Sequence, residues 1–116
     1  MPPSEVLKLA LAALALSGAA CSAGGAAPSA RDRTAGLYKQ NCAACHGPDG
    51  SGRQVGTVTV PSIRDGRAAS YTDERLFRQI YDGGRGMPPF KYTLDDDQIK
   101  DLARFVREEI QKGSRQ

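Results

Sequence analysis

The chain has 116 residues and a formal net charge of +3 at pH 7, with 16 lysines and arginines against 13 acidic residues. This length allows one small domain plus terminal extensions. A charge balance so close to neutral argues against a nucleic-acid binder and against a strongly polarised surface.

The chain opens on an apolar segment of the kind that directs export. Lys8 precedes an unbroken apolar run at 9–16, and small residues follow it. The run is too short to cross a bilayer as a helix, so residues 1–21 are predicted to be a signal peptide. A buried helix is the weaker alternative, because no second segment matches its length and apolarity. Export predicts a periplasm-facing protein.

Cys21 follows this leader directly, and an odd cysteine in an exported chain needs an explanation. The stretch 16–21 resembles the processing site of bacterial lipoproteins, whose cysteine becomes the lipidated N-terminus, although Gly18 stands where leucine is usual. Ordinary cleavage after Ala19 or Ala23 would instead leave a soluble periplasmic protein. We favour the lipid anchor, since several acyl chains hold a protein on a membrane.

A short segment separates the leader from the folded part. Residues 22–30 contain only alanine, glycine, serine and proline, which predicts a flexible linker and a folded domain at 31–116. Helical spacing then runs from Thr34 to Cys45. Gly36 is unfavourable inside that helix, and a close crossing with another helix would explain it.

The segment at 42–46, Cys-Ala-Ala-Cys-His, carries the strongest chemical signal of the chain. A C-x-x-C-H pentapeptide is typical of covalent attachment of c-type haem. Cysteines at this spacing lie about one helical turn apart, so Cys42 and Cys45 can both reach vinyl groups on one porphyrin edge. His46 then faces the iron as its proximal ligand. We therefore expect one covalently bound haem c.

Two other kinds of site also contain a C-x-x-C pair. A closed zinc site needs four ligands, but His46 is the only histidine and Cys21, the remaining cysteine, adjoins the leader. A redox dithiol is expected near a βαβ pattern, and no series of parallel strands is visible. Haem attachment is the favoured interpretation.

The stretch from 47 to 69 is predicted to be a long loop, because it carries five glycines and two prolines with almost no helical period. Its short run Val58–Val60 resembles a strand, but no second strand is evident to pair with it. A loop this long in a small domain is normally functional or wrapped around something. Here that object would be the haem.

A middle helix is predicted next. N-cap candidates at 70–73 precede an apolar stripe of Leu76, Phe77 and Ile80. This helix should end at the Asp-Gly-Gly sequence 82–84.

The last helix is expected to start at a capping box formed by Thr93 and Asp96 and to end at Gly113. Helical periodicity predicts five residues on its buried face: Ile99, Leu102, Phe105, Val106 and Ile110.

The second axial position of the iron has one candidate ligand. Once the leader is removed, Met87 is the only methionine, and no second histidine exists. A glycine and two prolines flank Met87, and their rigidity would hold the thioether at a fixed reach. A thioether opposite a histidine favours the reduced state and raises the potential. A methionine that merely fills the core is the alternative, and we favour Met87 as the ligand.

In this order the motifs resemble a class I monohaem cytochrome c, most nearly the short bacterial type also found in cbb3-oxidase subunits. The resemblance spans roughly residues 35–110. Four segments carry it: Gly36 with Cys42-x-x-Cys45-His46-Gly47, then Pro61-Ser62-Ile63, then Gly86-Met87-Pro88-Pro89-Phe90, and the stretch from Gln98 to Val106.

The resemblance implies an all-α fold, with three main helices and long loops wrapped around the haem, in which the first and last helices cross near Gly36 and Phe105. It also implies that the Pro61 carbonyl accepts the Nδ1 proton of His46, which would orient the imidazole. Further side chains would line the ring: Ile63, Leu76, Ile80 and Phe90. The basic, glycine-poor segment at 64–67 departs from the family pattern, so the arginine that meets a haem propionate stays open.

The implied function is one-electron transfer, because iron with both axial positions filled does not readily bind substrate. We expect a non-enzymatic carrier between a dehydrogenase or quinol-oxidising complex and a terminal acceptor such as an oxidase. Two alternatives stay open. One is a peroxidase-like haem enzyme or gas sensor with a labile sixth position, and the other is a subunit that works only inside a larger oxidoreductase complex.

Several arginines fall between the predicted haem ligands: Arg53, Arg64, Arg67, Arg75, Arg78 and Arg85. They are either scattered solvated charge or a docking rim for an acidic partner.

Overall fold

A computed structural model describes residues 24–112 of the chain. The predicted signal peptide, the proposed lipidation of Cys21 and the predicted helix end at Gly113 lie outside these residues. Residues 24–29 are exposed and precede the first helix without regular secondary structure.

Helix α1 spans Ala30–Asn41 and begins four residues before the predicted start at Thr34. The reason is a capping box whose first residue lies in the segment predicted to be a linker. The Ser29 hydroxyl accepts a hydrogen bond from the Asp32 amide at 3.1 Å, and the Asp32 carboxylate accepts one from the Ser29 amide at 3.1 Å. These bonds satisfy amide groups that a helix start leaves unpaired.

The predicted continuous helix through Cys45 is interrupted at Cys42. The φ of Cys42, −117°, is more extended than that of a regular α-helix, although its ψ of −41° is helical, and its amide closes α1 by donating to the Tyr38 carbonyl at 2.8 Å. The short helix α2 then spans Ala43–His46 and ends at Gly47. Cys42 and His46 therefore lie at opposite ends of one helical turn.

A β-hairpin occupies part of the predicted loop. Strand β1 spans Arg53–Val55 and pairs antiparallel with β2, Val58–Val60. The expectation that Val58–Val60 has no partner strand is therefore wrong. Gly56, with φ +58°, begins the two-residue turn that joins the strands, which is the turn length preferred in hairpins.

Helix α3 spans Asp73–Asp82 after a short 3₁₀-helix at Gly66–Ser70. The Thr72 hydroxyl caps α3 by accepting from the Arg75 amide at 3.2 Å. The helix ends at Asp82 with Gly83 as its C-cap, as its sequence predicts.

Helix α4 spans Asp96–Phe105 and continues as a π-helix over Val106–Gln111. Its capping box is formed by Asp95 and Gln98, not by the predicted pair Thr93 and Asp96. Thr93 is already used in the preceding turn, where its amide donates to the Phe90 carbonyl at 2.9 Å. Four of the five residues predicted for the buried face are buried: Ile99, Leu102, Val106 and Ile110, with Phe105 partly buried.

Helices α1 and α4 meet through the rings of Tyr38 and Phe105, whose centroids are 5.5 Å apart. Gly36 is not at a tight crossing, because a Cβ atom built there would have no neighbour within 4 Å. The close-crossing explanation for that glycine is therefore wrong. An ion pair between Arg31 and Glu109 adds a second contact between the first and last helical segments.

The π-helix at Val106–Gln111 holds the loop that follows the hairpin. Gln111 is fully buried, and its side-chain amide donates to the carbonyls of Ile63 at 3.0 Å and Ala68 at 3.2 Å. Arg107 donates to the Tyr71 carbonyl and to the Gln111 side chain, the latter at 2.8 Å. The loop and the 3₁₀-helix are thus held against the last helical segment.

Residues 24–112 together contain four α-helices and a two-stranded sheet. The all-α prediction with three main helices therefore needs correction on the small sheet and on the number of helices. In this part of the chain no helix combines the length and the apolarity that crossing a bilayer requires.

Candidate functional site

The two cysteines of the C-x-x-C-H segment lie in different environments. Cys42 is buried and Cys45 is exposed, and neither forms a disulfide. Burial raises the pKa of the Cys42 thiol to about 11, and the neighbouring Cys45 adds to the shift. Reactive dithiols show the opposite shift, because their chemistry needs a thiolate at neutral pH. The environment of Cys42 thus argues against the redox-dithiol alternative.

The described residues do not support the zinc alternative. Within residues 24–112 no group of three or more histidine, cysteine, aspartate or glutamate side chains is arranged to hold a metal ion. A closed zinc site needs four such ligands.

His46 ends helix α2 with its ring partly buried. Burial lowers the pKa of the imidazole below its ordinary value, which favours the neutral form that binds metals. The Pro61 backbone opposes part of that shift as a hydrogen-bond acceptor, yet the buried Nδ1 atom has no partner in full hydrogen-bond geometry. A neutral ring with one buried nitrogen beside a backbone acceptor fits a haem-ligating histidine.

Helix α2 is held from outside by Arg53 at the start of the hairpin. The Arg53 guanidinium donates to the Ala44 carbonyl at 3.1 Å and more weakly to the Ala43 carbonyl at 3.5 Å. Carbonyls in the last turn of a helix lack partners within it, and basic side chains satisfy them. The hairpin therefore braces the segment that carries both cysteines and His46.

Gly52 contacts the backbones of both His46 and Pro61. Its amide donates to the His46 carbonyl at 2.8 Å, and its φ is +81°. A Cβ atom at this position would lie 2.4 Å from the Val60 carbonyl oxygen and 2.8 Å from the Pro61 carbonyl carbon. Only glycine allows the two backbones to approach so closely. This packing brings Pro61 against the His46 end of α2.

Met87 lies in the loop between α3 and α4. Contacts at the base of this loop hold its two ends together. The Phe90 amide donates to the Ile80 carbonyl at 3.1 Å. The Lys91 ammonium pairs with Asp82 at 3.0 Å, and this pairing raises the pKa of the lysine. These contacts join the two ends of the loop across the end of α3.

The loop is also fastened from within. The amides of Gly84 and Met87 each donate to the other's carbonyl, at 2.9 and 3.1 Å. Gly83, with φ +67°, packs under them, since a Cβ atom there would lie 2.4 Å from the Met87 carbonyl oxygen and 2.7 Å from the Pro88 carbonyl carbon. The backbone of Met87 is therefore fixed on two sides.

Six of the predicted haem-contacting residues belong to one hydrophobic core. Cys42, Leu76 and Ile80 are buried within it. Three further predicted residues are partly buried and pack against the same core: Ile63, Met87 and Phe90. Cys45 and Pro61 are the exposed members of the predicted set, and the partly buried His46 lies beside the Pro61 backbone at the base of the hairpin.

The sequence does not reveal that three residues position this site: Arg53, Gly52 and Gly83. In the sequence Arg53 is one of several dispersed charges, although its place at the start of a short hairpin is a usable signal. The two glycines stand out as turn formers, and no local pattern shows which backbone each packs against.

Comparison with known proteins gives a family match across most of this region. The family model described as "Cytochrome C oxidase, cbb3-type, subunit III" matches residues 29–106. That range runs from the N-cap of α1 into the last helical segment and includes every residue of the predicted site.

Individual proteins show the same likeness. A cytochrome c6 from Leptolyngbya boryana is 36% identical over 77 residues, covering 66% of this chain and 89% of that protein. The cbb3-type oxidase subunit CcoP of Azospirillum brasilense is 38% identical over 74 residues, covering 60% of this chain but 25% of that protein. Among solved structures, the KustC0563 c-type cytochrome aligns with a TM-score of 0.56 and 33% identity, covering 64% of this chain and 93% of that one.

Proposed function

Because this chain belongs to the small monohaem class I cytochromes c, which carry one covalently bound haem c, we propose that it is an electron carrier with histidine–methionine ligation. The haem would supply an iron centre that changes by one electron. Cys42 and Cys45 would form the two thioether links. His46 and Met87 would be the axial ligands, and the chain's own task is to keep both in place.

The observation that carries this proposal is the fixed position of Met87. A methionine that only fills a core needs no special backbone, and it tolerates substitution. Here two mutual hydrogen bonds and a close glycine contact fix the main chain at Met87, while its side chain packs against the same core as Cys42. A fixed backbone limits how far a thioether can move from a metal ligand position.

Replacing Met87 with alanine tests the ligand assignment. The haem-loaded variant should lose the weak sulfur-to-iron absorption of the oxidised protein and should bind carbon monoxide when reduced. The native protein should keep the band and bind no carbon monoxide, because its sixth position is filled. Visible spectroscopy measures both effects.

Leu94→Ala is the matched control for that experiment, because Leu94 packs against the same core without carrying a thioether. It should retain the band. A band that survives in Met87→Ala would rule out this ligand. Carbon monoxide binding to the native protein would instead favour the haem enzyme or gas sensor with a labile sixth position.

We further propose a periplasm-facing location with a lipid tether at Cys21, and redox partners of the dehydrogenase, quinol-oxidising or terminal-oxidase classes. The sequence of the leader supports the location, and the likeness to CcoP is compatible with a respiratory setting. Cys21→Ser should move the protein from the membrane fraction to the soluble periplasmic fraction. Equal distribution of the two proteins would count against the tether.

A further inference from the structure

The tip of the methionine loop contains an arginine in an unfavourable backbone conformation. Arg85 has φ +53° and is the one non-glycine residue with positive φ in residues 24–112. It is followed by Gly86 at φ +87°, in a two-residue turn closed by Gly84 and Met87. Turns of this kind prefer asparagine, aspartate or glycine, which adopt positive φ with less strain. A strained residue beside a functional site suggests that its side chain serves a purpose.

The side chain of Arg85 is also free, unlike most arginines between the predicted ligands. Four of those arginines are engaged: Arg53 with carbonyls of α2, Arg64 with Asp49 at 2.9 Å, Arg78 with Glu74 at 2.9 Å, and Arg75 over the Tyr71 ring at 5.0 Å. Among the described residues, Arg67 and Arg85 make no hydrogen bond, ion pair or ring contact through their side chains. Of the six arginines considered as a docking rim for an acidic partner, two therefore have unpaired charges: Arg67 and Arg85.

The surroundings of Arg85 leave its charge unneutralised. The acidic side chain at the base of the loop, Asp82, is paired with Lys91 at 3.0 Å. The rest of the tip is exposed and has no charged side chain: Gly84, Gly86, Pro88 and Pro89. One exposed, unpaired cation therefore lies on an uncharged loop tip, two residues from Met87.

We propose that Arg85 is the charged contact of a docking surface, formed by residues 84–86 with Pro88 and Pro89, for a redox protein that presents a carboxylate beside an apolar face. This proposal rests on the proposed ligation by Met87, which would place the surface near the redox centre. Opposite charges steer partners together and fix their orientation. The hydrogen bonds between Gly84 and Met87 hold the backbone of Arg85 at the tip of the loop.

Electron exchange with small charged probes tests the proposal without a known partner. The haem-loaded, reduced protein gives one electron to hexacyanoferrate(III), an anion, or to tris(phenanthroline)cobalt(III), a cation, and each probe is reduced by that electron. Arg85→Asn removes the charge and tolerates positive φ, and Arg85→Gly serves as a second variant. Arg67→Asn is the matched control, because it removes an equally free charge elsewhere.

At low ionic strength, both Arg85 variants should slow the reaction with hexacyanoferrate about threefold or more and speed the reaction with the cobalt complex. Arg67→Asn should change either rate much less. Equal changes in the Arg67 and Arg85 variants, or no change, would overturn the docking surface.

The sulfur-to-iron band is recorded for every sample. It distinguishes a wrong assignment of the docking surface from a wrong assignment of the proposed function. An intact band with equal rates counts against Arg85 alone. A native protein without the band overturns both proposals.

Discussion

Replacing Gly83 with alanine should detach Met87 from the iron that we propose it binds, while the haem stays covalently attached. The new methyl group would meet the Met87 carbonyl oxygen at 2.4 Å and the Pro88 carbonyl carbon at 2.7 Å. Both are backbone atoms, so the loop must move as a whole. Positive φ adds strain, and together the two effects should cost about 3 kcal/mol of stability. Visible spectra of the oxidised protein report the ligand, and urea denaturation reports the free energy of unfolding.

Gly86→Ala is a matched control for this experiment. Gly86 also has positive φ, at +87°, but a Cβ atom there would meet nothing within 4 Å. The control shares the backbone strain without the collision, so it should lose some stability and keep the sulfur-to-iron band. Equal loss of the band in Gly83→Ala and Gly86→Ala would show that strain alone, rather than packing beneath Met87, governs the ligand.

Replacing Gly52 with alanine should disturb the part of the site around His46. The methyl group would meet the Val60 carbonyl oxygen at 2.4 Å and push Pro61 away from His46. We expect a stability loss of about 3 kcal/mol. The midpoint potential should also rise, because an imidazole without its backbone acceptor donates less to the iron and stabilises the oxidised state less. A redox titration measures the potential.

Gly56→Ala is the control on the same hairpin. Gly56 has φ +58°, and a Cβ atom there would meet nothing within 4 Å, so its substitution strains the turn without moving Pro61. Its potential should remain that of the native protein. If Gly52→Ala folds and keeps the native potential, the contact between Pro61 and His46 does not tune the iron.

The parts of the fold that follow helical periodicity could be predicted from the sequence. Leu76 and Ile80 on α3, and Ile99 and Leu102 on α4, are buried as their spacing indicates. The end of α3 before Gly83 also follows from local chemistry. Such features depend on residues a few positions apart, so a single sequence contains them.

Helix starts are harder to predict, because several polar residues compete for each cap. Ser29 lies in a segment with the composition of a linker, yet it caps α1. Asp95 rather than Thr93 caps α4, because the amide of Thr93 is bonded to Phe90. Which candidate caps a helix thus depends on how the preceding turn is folded.

The candidate site likewise has a part that the sequence predicts and a part that it does not. The spacing of Cys42, Cys45 and His46 indicates haem chemistry by itself, because the motif is local. The roles of Gly52 and Gly83 depend on close backbone approaches across turns whose path the sequence does not reveal. The burial of Gln111 is equally hidden, because it lies next to Ile110 on a π-helix, where α-helical spacing does not apply.

The ion pair between Arg31 and Glu109 has a consequence for how this unit is joined to other polypeptides. It shows that Arg31, in the first turn of α1, lies next to Glu109, in the last helical segment that the structure describes. A module whose two ends adjoin can be inserted into a host loop, or strung in tandem, without stretching across its own body. Circular permutants that join these ends with a brief connector would inherit the same geometry.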